Sequence, residues 1–313
     1  MTDLPKPPIL VTGSHRSGST WIGNILALDP ASGYIHEPFN RRHRRGICRV
    51  HFKRTYTYVT EENETPYLAP FRDTLAWKFS PVAQLSQIRA PRDLAVTARN
   101  MSYFQFQRLR GSRPIMKDPL ALFSAPWLAT RFGMQVVVAI RHPAAFVASL
   151  RAAGWDRFPF ADLRDQELLM RERLAPFRAE IEAAARTRPG VIDMGILLWR
   201  IFHYQIDHYR SEHPDWIFVR HEDLSRDPLP QFRGLFERLG LTFSPATEQR
   251  LHGFTKDGSV RHNPMRQAPV GNLARDSRKN VLSWKSRLSP EEIAHIRRAV
   301  EPVAAKFYSD ADW

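Results

Sequence analysis

The feature that most restricts the fold is a glycine-bounded loop near the start of the chain. Residues 9–12 form a short apolar run, Gly13 follows it, and a periodic apolar segment begins just after Thr20. This order predicts a buried strand, a tight loop and a helix. Glycines at both ends let backbone N–H groups turn inward, beside the partial positive charge of the helix N-terminus. The sequence therefore predicts an oxyanion site at residues 13–20.

Further apolar and periodic segments continue this pattern along the chain. Short apolar runs predict strands at residues 114–116, 135–140 and 216–220. Helical periodicity lies between and after them, at residues 125–132, 144–152, 162–186, 196–210, 230–239 and 290–307. Strands that alternate with helices predict a three-layer α/β fold with a mainly parallel central sheet flanked by helices. No composition break divides the chain, so we expect one domain over residues 1–313, with long basic loops at 40–64 and 253–280.

The glycine loop differs from the usual nucleotide-binding pattern in one informative way. Residues 13–20 match G-x-x-x-x-G-K-[ST] except at the lysine position, which is Ser19. Arg16 restores a cation inside the loop. A magnesium-dependent nucleotide hydrolase also needs an acid after a neighbouring buried strand, but here Arg141 follows the strand. The two departures favour a metal-free site that binds an anion with arginine and backbone amides, although a plain glycine turn stays open.

Three segments together resemble the sulfotransferases that use 3′-phosphoadenosine 5′-phosphosulfate (PAPS). Residues 16–21 are similar to the family's 5′-phosphosulfate loop, and residues 136–150 to its 3′-phosphate segment. Residues 278–280 resemble the loop that closes over the 3′-phosphate, with Asn280 in place of the family's glycine. The resemblance spans nearly the whole chain and implies a P-loop-like fold and a PAPS donor. It implies these donor-binding residues: His15, Arg16, Ser17, Gly18, Ser19, Thr20, Trp21, Arg141, Ser149, Arg278 and Lys279.

The same resemblance implies a cation that stabilises the leaving oxygen of sulfuryl transfer. Lys117 stands at the end of a predicted strand, at a spacing before Arg141 similar to that of the catalytic lysine in the cytosolic branch. We expect Lys117 to follow the charge that gathers on the bridging oxygen, with Arg16 sharing the task. A surface lysine that merely pairs with Asp118 is the structural alternative.

Transfer to a hydroxyl or amine also needs a base for the acceptor's proton. Glu37 resembles the early glutamate of the carbohydrate and tyrosylprotein branches, and we expect its apolar neighbours to raise its pKa toward neutrality. His36 and His15 stay open as alternative bases. An ion pair of Glu37 with Arg41 or Arg42 is the structural alternative.

The distribution of charged residues along the sequence indicates which class of partner the protein binds. The formal net charge is +14, of which residues 41–54 carry +7 and residues 252–288 carry +6. Charge held at two places suits an anionic ligand better than a nucleic-acid face, although solvated loops stay open for the first segment. A single cysteine, Cys48, no bilayer-length apolar run and no signal-like start predict a soluble cytoplasmic protein without a transmembrane segment.

The sequence leaves the acceptor undefined. The basic loops suit an anionic or saccharide acceptor, and Trp155, Phe158 and Phe160 suit an apolar or sugar-stacking cleft. We therefore predict a small-molecule, saccharide or other hydroxyl-bearing acceptor and no nucleic-acid partner. Two other functions stay open: a nucleotide kinase with a degenerate phosphate loop, and a basic nucleic-acid-binding protein.

Overall fold

Five parallel strands form the centre of the fold. The computed structural model of the chain describes residues 6–256 and 281–313. Its strands are β1 (Ile9–Gly13), β2 (Ser32–His36), β3 (Arg113–Lys117), β4 (Gln135–Ile140) and β5 (Ile217–Arg220). They lie in the order β2-β3-β1-β4-β5, and each neighbouring pair is parallel. All five strands therefore end at the same edge of the sheet.

Helices connect the strands and cover the sheet. Those in the described residues are α1 (Ser19–Leu26), α2 (Thr65–Leu75), α3 (Pro81–Leu85), α4 (Pro91–Leu109), α5 (Ala125–Phe132), α6 (Pro143–Ala152), α7 (Ala161–Arg164), α8 (Glu167–Glu172), α9 (Arg178–Thr187), α10 (Val191–Glu212), α11 (His221–Arg226), α12 (Pro228–Arg238), α13 (Pro245–Lys256) and α14 (Pro290–Ala304). Short 3₁₀ turns lie at Pro119–Ala121, Ala175–Phe177, Ser283–Ser286 and Asp310–Asp312.

Alternating strand residues pack into two separate hydrophobic cores, one on each face of the sheet. On β4, Val136 and Val138 contribute to one core, which includes apolar residues of α6, α10 and α14. Val137 and Ala139 contribute to the other, which includes residues of α1 and α12. A sheet buried on both faces explains why β4 reads as a continuous apolar run. The predicted α/β fold with a parallel sheet between helix layers is confirmed.

Some sequence-based boundaries are right and others are wrong. The structure confirms the predicted bounds of β4 and α5. The continuous helix predicted over residues 162–186 is wrong, because the chain forms α7, α8, a 3₁₀ turn and α9 there. Pro176, in the 3₁₀ turn, cannot continue a helix, since it lacks the backbone N–H for the bond to the preceding turn. β2 and the helices within residues 65–109 were not predicted from the sequence.

Residues 37–64 contain no helix or strand, yet they are held against the rest of the protein. The backbone N–H of Val59 donates to Ser124 Oγ at 2.9 Å, and that of Tyr58 donates to Gln166 Oε1 at 2.8 Å. Phe39 and Phe52 stack in the core with ring centroids 4.7 Å apart. Buried aromatic side chains and backbone hydrogen bonds therefore order this long segment.

Three arginines of the basic loop at residues 40–64 form ion pairs with other elements. Arg41 lies 3.2 Å from Asp162, Arg44 lies 3.4 Å from Asp93, and Arg49 contacts Asp73. These arginines tie the segment to its surroundings. The second basic segment, residues 253–280, lies outside the residues whose side chains the structure describes.

Candidate active site

Each strand of the sheet delivers a predicted or newly found site residue at its carboxyl end. The glycine loop follows β1, Glu37 follows β2, Lys117 ends β3, Arg141 follows β4 and His221 follows β5. Ligands of open parallel sheets bind in the crevice outside these strand ends. The topology therefore brings together residues that are far apart in the sequence.

The glycine loop has the backbone conformation of an anion cradle. Gly13 and Gly18 adopt φ values of 134° and 92°, in the region where a side chain is strained. A Cβ on Gly18 would collide with the His221 ring. Arg16 adopts a left-handed φ of 63°, and α1 begins directly after the loop, at Ser19. The backbone of residues 13–18 thus turns at the N-terminus of α1, where its N–H groups suit an anion.

Two arginines meet beside this loop. The Nε of Arg16 donates to Ser149 Oγ at 2.9 Å, and the Nη1 of Arg141 donates to the carbonyl of Arg16 at 2.5 Å. The indole Nε1 of Trp199 donates to the carbonyl of Arg141 at 2.8 Å and so holds the backbone at the end of β4. Burial lowers the pKa of the Arg141 guanidinium, a cost that a bound anion would relieve. The structure therefore places Arg16, Arg141 and Ser149 in one cluster.

Several buried polar atoms around the loop have no hydrogen-bond partner among the described residues. They are Ser14 Oγ, Ser17 Oγ, Arg141 Nε and His221 Nδ1. A buried polar atom without a partner costs free energy, and such atoms gather where a ligand supplies the missing bonds. The unpaired guanidinium N–H of Arg141 and the glycine cradle fit the phosphate and sulfate oxygens of PAPS, whereas the hydroxyls of Ser14 and Ser17 are fully buried outside the cavity lining.

Glu37 and Lys117 form a buried ion pair at the ends of the neighbouring strands β2 and β3. Lys117 Nζ, on a side chain only 1% exposed, contacts Glu37 Oε1. Asn40 Nδ2 donates to the other carboxylate oxygen at 2.8 Å, and the backbone N–H of Glu37 donates to the Lys117 carbonyl at 2.8 Å. The alternatives of Lys117 paired with Asp118 and of Glu37 paired with Arg41 or Arg42 are both wrong.

The expectation of a raised Glu37 pKa is also wrong. Burial by itself raises the pKa of this carboxyl, but the charge of Lys117, that of His36 when it is protonated, and hydrogen bonds from Lys117 and Asn40 together outweigh burial and lower it. Glu37 is therefore a carboxylate at neutral pH. Apolar neighbours in the sequence suggested the opposite, because they gave no sign of a lysine on the next strand.

The two alternative bases are neutral histidines of low basicity. Burial, with the charge of Arg16, lowers the pKa of His15 to about 3, and burial, with the charge of Lys117, lowers that of His36 to about 4. Tyr56 Oη lies 2.7 Å from His15 Nδ1 and also accepts the His15 backbone N–H at 3.1 Å. His15 packs within a cluster of aromatic rings, which includes Trp155 at 5.1 Å between ring centroids. This environment suits a structural role better than proton transfer.

A cavity of about 600 Å³ joins the parts of this site. Its lining includes ten of the residues singled out from the sequence: His15, Arg16, Gly18, Ser19, Thr20, Trp21, Glu37, Lys117, Arg141 and Ser149. Ser17 lies in the loop but is fully buried, away from this lining. Arg278 and Lys279 lie outside the described residues.

Other lining residues were not assigned to the site from the sequence. His221, Asn40 and Arg287 line the cavity but were not singled out from the sequence. Asn40 follows Glu37 by three residues, a spacing that permits the observed side-chain contact within a turn. The position of His221 at the end of β5 matches that of the other site residues at their strand ends, and this was the available signal. Trp155, which the sequence suggested for an acceptor cleft, also lines the cavity.

The described residues contain neither a group of metal-binding side chains nor a helix that could span a membrane. Within residues 6–256 and 281–313, no three His, Cys, Asp or Glu side chains form a group that could hold a metal ion. Over the same ranges, no helix combines the length and the apolar character that a bilayer crossing requires.

Comparisons with known proteins identify the family of the chain. A family model described as "Sulfotransferase family" matches residues 7–245, and the chain therefore belongs to the sulfotransferase family. The resemblance found in the motifs is confirmed. A search of curated proteins finds no match.

Solved structures include similar folds at low sequence identity. The sulfotransferase domain of the Synechococcus PCC 7002 olefin synthase is 16% identical, with a TM-score of 0.51, over 99% of this chain and 98% of that one. The sulfotransferase domain of the curacin biosynthetic pathway is 16% identical, with a TM-score of 0.48, over 95% and 98%. Mouse sulfotransferase SULT7A1, complexed with PAP, is 13% identical, with a TM-score of 0.48, over 98% and 86%. The first of these supports the fold assignment.

Proposed function

We propose that this sulfotransferase moves the sulfuryl group of PAPS to a hydroxyl-bearing acceptor. The observation that carries the proposal is one cavity that joins a glycine cradle with Arg16, Arg141 and Ser149 to a buried Lys117–Glu37 pair. The first group suits a doubly phosphorylated donor, and the second suits proton and charge transfer. Small-molecule, saccharide and other hydroxyl-bearing compounds are the proposed acceptor class.

The glycine loop and the arginine cluster would divide the donor between them. Backbone N–H groups of residues 13–18, with the hydroxyls of Ser19 and Thr20, would hold the 5′-phosphosulfate. Arg141 and Ser149 would hold the 3′-phosphate. PAPS supplies the sulfuryl group on a good leaving phosphate when it is bound. Arg278 and Lys279 remain proposed contacts to the 3′-phosphate.

Lys117 is the proposed cation for the developing charge. It lies buried beside the phosphate loop, where a low dielectric strengthens its interaction with an oxyanion. As the bond between sulfur and the bridging oxygen breaks, negative charge gathers on that oxygen. Lys117 and Arg16 would stabilise that charge and remain protonated throughout.

Glu37 is the proposed base. Its carboxylate is ionised at neutral pH and takes the acceptor's hydroxyl proton while the acceptor oxygen bonds to sulfur. When Lys117 turns toward the leaving oxygen, Glu37 loses the charge that lowers its pKa and becomes a stronger base. Asn40 would keep the carboxylate oriented during that exchange.

Ligand binding tests the donor assignment. Adenosine 3′,5′-bisphosphate, at about one hundred times its Kd, should add about 2.7 kcal/mol to the free energy of unfolding. Thermal unfolding with and without EDTA measures this, and EDTA should change nothing. The matched control is ATP with magnesium. Stabilisation by ATP that disappears in EDTA would instead support the kinase alternative. Retention on duplex DNA at moderate salt would support a nucleic-acid partner.

A further inference from the structure

Most of the exposed large apolar side chains among the described residues lie on two consecutive helices, α3 and α4. Eight large apolar side chains are strongly exposed among the residues whose side chains are described, and six belong to α3 and α4. Val82 is 78% exposed and Leu109 is 77% exposed. The six are Val82, Leu85, Leu94, Met101, Phe106 and Leu109. Single exposed apolar residues are ordinary, but a cluster of this kind marks an interaction surface.

The outer side of α4 carries an uncharged stripe along its length. At 100° per residue, eight exposed residues share this side: Leu94, Ala95, Ala98, Met101, Ser102, Gln105, Phe106 and Leu109. The opposite side of the helix packs inward, and Phe104 there contacts Trp77 at 5.3 Å between ring centroids. Tyr103 Oη accepts the backbone N–H of Tyr34 at 2.8 Å, so α4 lies along the edge strand β2. A solvent-facing helix side is ordinarily charged, and this one is not.

Arginines border the uncharged stripe on both sides. The same angular projection puts Arg92, Arg99 and Arg110 along one border and Arg108 along the other, and all four are exposed. Arg110 also places its guanidinium 5.1 Å from the centre of the Phe106 ring. Such side chains lay their stems along apolar surface and keep their charge at its rim.

No carboxylate balances these arginines from within the segment. Asp93 is the only acid of residues 81–112. Its side chain is already engaged by Arg44 at 3.4 Å and by the backbone N–H groups of Arg89 and Ala90 at 3.1 Å. The stripe and its borders therefore form an apolar face within a positive rim. We call it the α4 face, comprising residues 92–110.

We propose that the α4 face docks on an anionic lipid surface, with α4 lying in the plane of the interface. Apolar side chains would enter the acyl boundary while the bordering arginines meet lipid phosphates, as in interfacial amphipathic helices. Charge complementarity selects this occupant over a second copy of the chain, because two such faces would bring like charges together. The inference does not depend on the proposed sulfuryl donor or acceptor.

Vesicle sedimentation with the full-length protein tests this proposal. Vesicles of phosphatidylglycerol mixed with phosphatidylcholine should pellet the protein, and vesicles of phosphatidylcholine alone should not. Binding should weaken as sodium chloride is raised, since the rim charges are screened. Pelleting by both vesicle types equally, or by neither, would overturn the proposal.

Two triple variants separate the rim from the stripe. Replacing Arg92, Arg99 and Arg108 with Gln should weaken binding to the anionic vesicles on the order of a hundredfold. Replacing Leu94, Met101 and Leu109 with Gln keeps the charge and should weaken binding about tenfold or more. All six side chains are exposed, so the thermal unfolding midpoint should stay near that of the parent protein in both variants.

A matched control removes the same charge elsewhere. Arg186, Arg238 and Arg298 are exposed on α9, α12 and α14, and their replacement with Gln should leave vesicle binding within about threefold of the parent. An equal loss in this control would show that net charge, rather than the α4 face, drives binding.

Sedimentation velocity tests for self-association. A dimer that becomes monomeric with the stripe variant would assign the α4 face to a second copy of the chain. The lipid assignment would also be overturned if an acidic protein competed for the α4 face and anionic vesicles did not.

Discussion

The arginines of the long basic loop at residues 40–64 and the cations of the candidate active site differ in their partners. Arg41 and Arg49 of this loop each meet a carboxylate of another element. Arg141 is instead held by a neutral oxygen, the carbonyl of Arg16. A cation opposite a carboxylate ties two segments together, whereas a cation oriented by a neutral acceptor keeps its charge for a ligand. Part of the charge in residues 41–54 therefore serves to hold this loop against other elements.

Lys117 belongs to neither group, because it is a site cation that is paired with a carboxylate. Burial makes this pair expensive to break by removing one partner. A ligand anion that takes over Lys117 would release Glu37 without leaving either charge unpaired. Substitutions in the Lys117–Glu37 pair therefore test most directly whether a cation paired with a carboxylate can also serve a ligand.

The largest expected effect belongs to Glu37→Gln. A positioned base contributes about 10² to 10⁴ in rate, so turnover should fall at least about a hundredfold while adenosine 3′,5′-bisphosphate binding stays within about threefold. Steady-state kinetics with any working acceptor and calorimetric titration of the bisphosphate measure the two quantities. Near-normal turnover in Glu37→Gln, with loss of activity in His36→Ala or His15→Ala, would assign the base to a histidine.

The pH dependence of stability provides a control for the Glu37 ion pair. A carboxyl whose pKa is lowered by folding contributes stability above its usual pKa of 4.5, and this contribution is lost as the pH falls through the lowered value. The parent protein should therefore be more stable than Glu37→Gln at neutral pH. That difference, from denaturant unfolding, should shrink as the pH falls below 4.5. A difference that stays constant would show that the pair does not stabilise the carboxylate.

The next largest effect concerns Arg141→Ala. A lost charge-assisted hydrogen bond to phosphate costs on the order of 1.5 to 3 kcal/mol, and the loss should fall on the 3′-phosphate. The parent protein should prefer adenosine 3′,5′-bisphosphate over 5′-AMP, and the variant should lose much of that preference. Titration of both nucleotides measures it, with Arg226→Ala, an exposed arginine of α11 outside the cavity lining, as the matched control. Equal weakening of both nucleotides would contradict the assignment.

A smaller effect should follow Tyr56→Phe, which removes a hydrogen bond between the basic loop at residues 40–64 and the phosphate loop. The Tyr56 hydroxyl oxygen accepts the backbone N–H of His15. Its loss leaves a buried donor unsatisfied, which costs about 1 to 3 kcal/mol of unfolding free energy. Affinity for the bisphosphate should fall several-fold, since the loop is less well ordered. An unchanged Kd beside lowered stability would restrict Tyr56 to a purely structural role.

The smallest effect is expected for Arg41→Gln and Arg49→Gln. Exposed ion pairs contribute about 0.2 to 1 kcal/mol, so each variant should lose at most that much stability. Bisphosphate affinity should stay within about threefold, since neither arginine lines the cavity. A tenfold loss of nucleotide affinity in either variant would show that the basic loop at residues 40–64 binds the donor after all.

The sequence alone was sufficient for the phosphate loop and for β4 because their signals are local. Two glycines at a set spacing between an apolar run and a helical pattern specify a turn that only glycine tolerates, as the φ values of Gly13 and Gly18 show. A strand buried on both faces is apolar throughout, and β4 could therefore be predicted from its continuous apolar run. β2 has only two consecutive apolar residues, Tyr34 and Ile35, after Ser32 and Gly33, so the sequence there shows no clear apolar run.

The pairing of Glu37 with Lys117 was decided by the tertiary structure. Parallel strand register sets His36 opposite Lys117, and this brings together two charges 80 residues apart. The pKa of Glu37 depends on that contact, because the charge and the hydrogen bond of Lys117, together with His36 and Asn40, outweigh the effect of burial. Residue types and motif spacing identified both side chains, but the direction of the pKa shift follows only from the fold that brings them into contact.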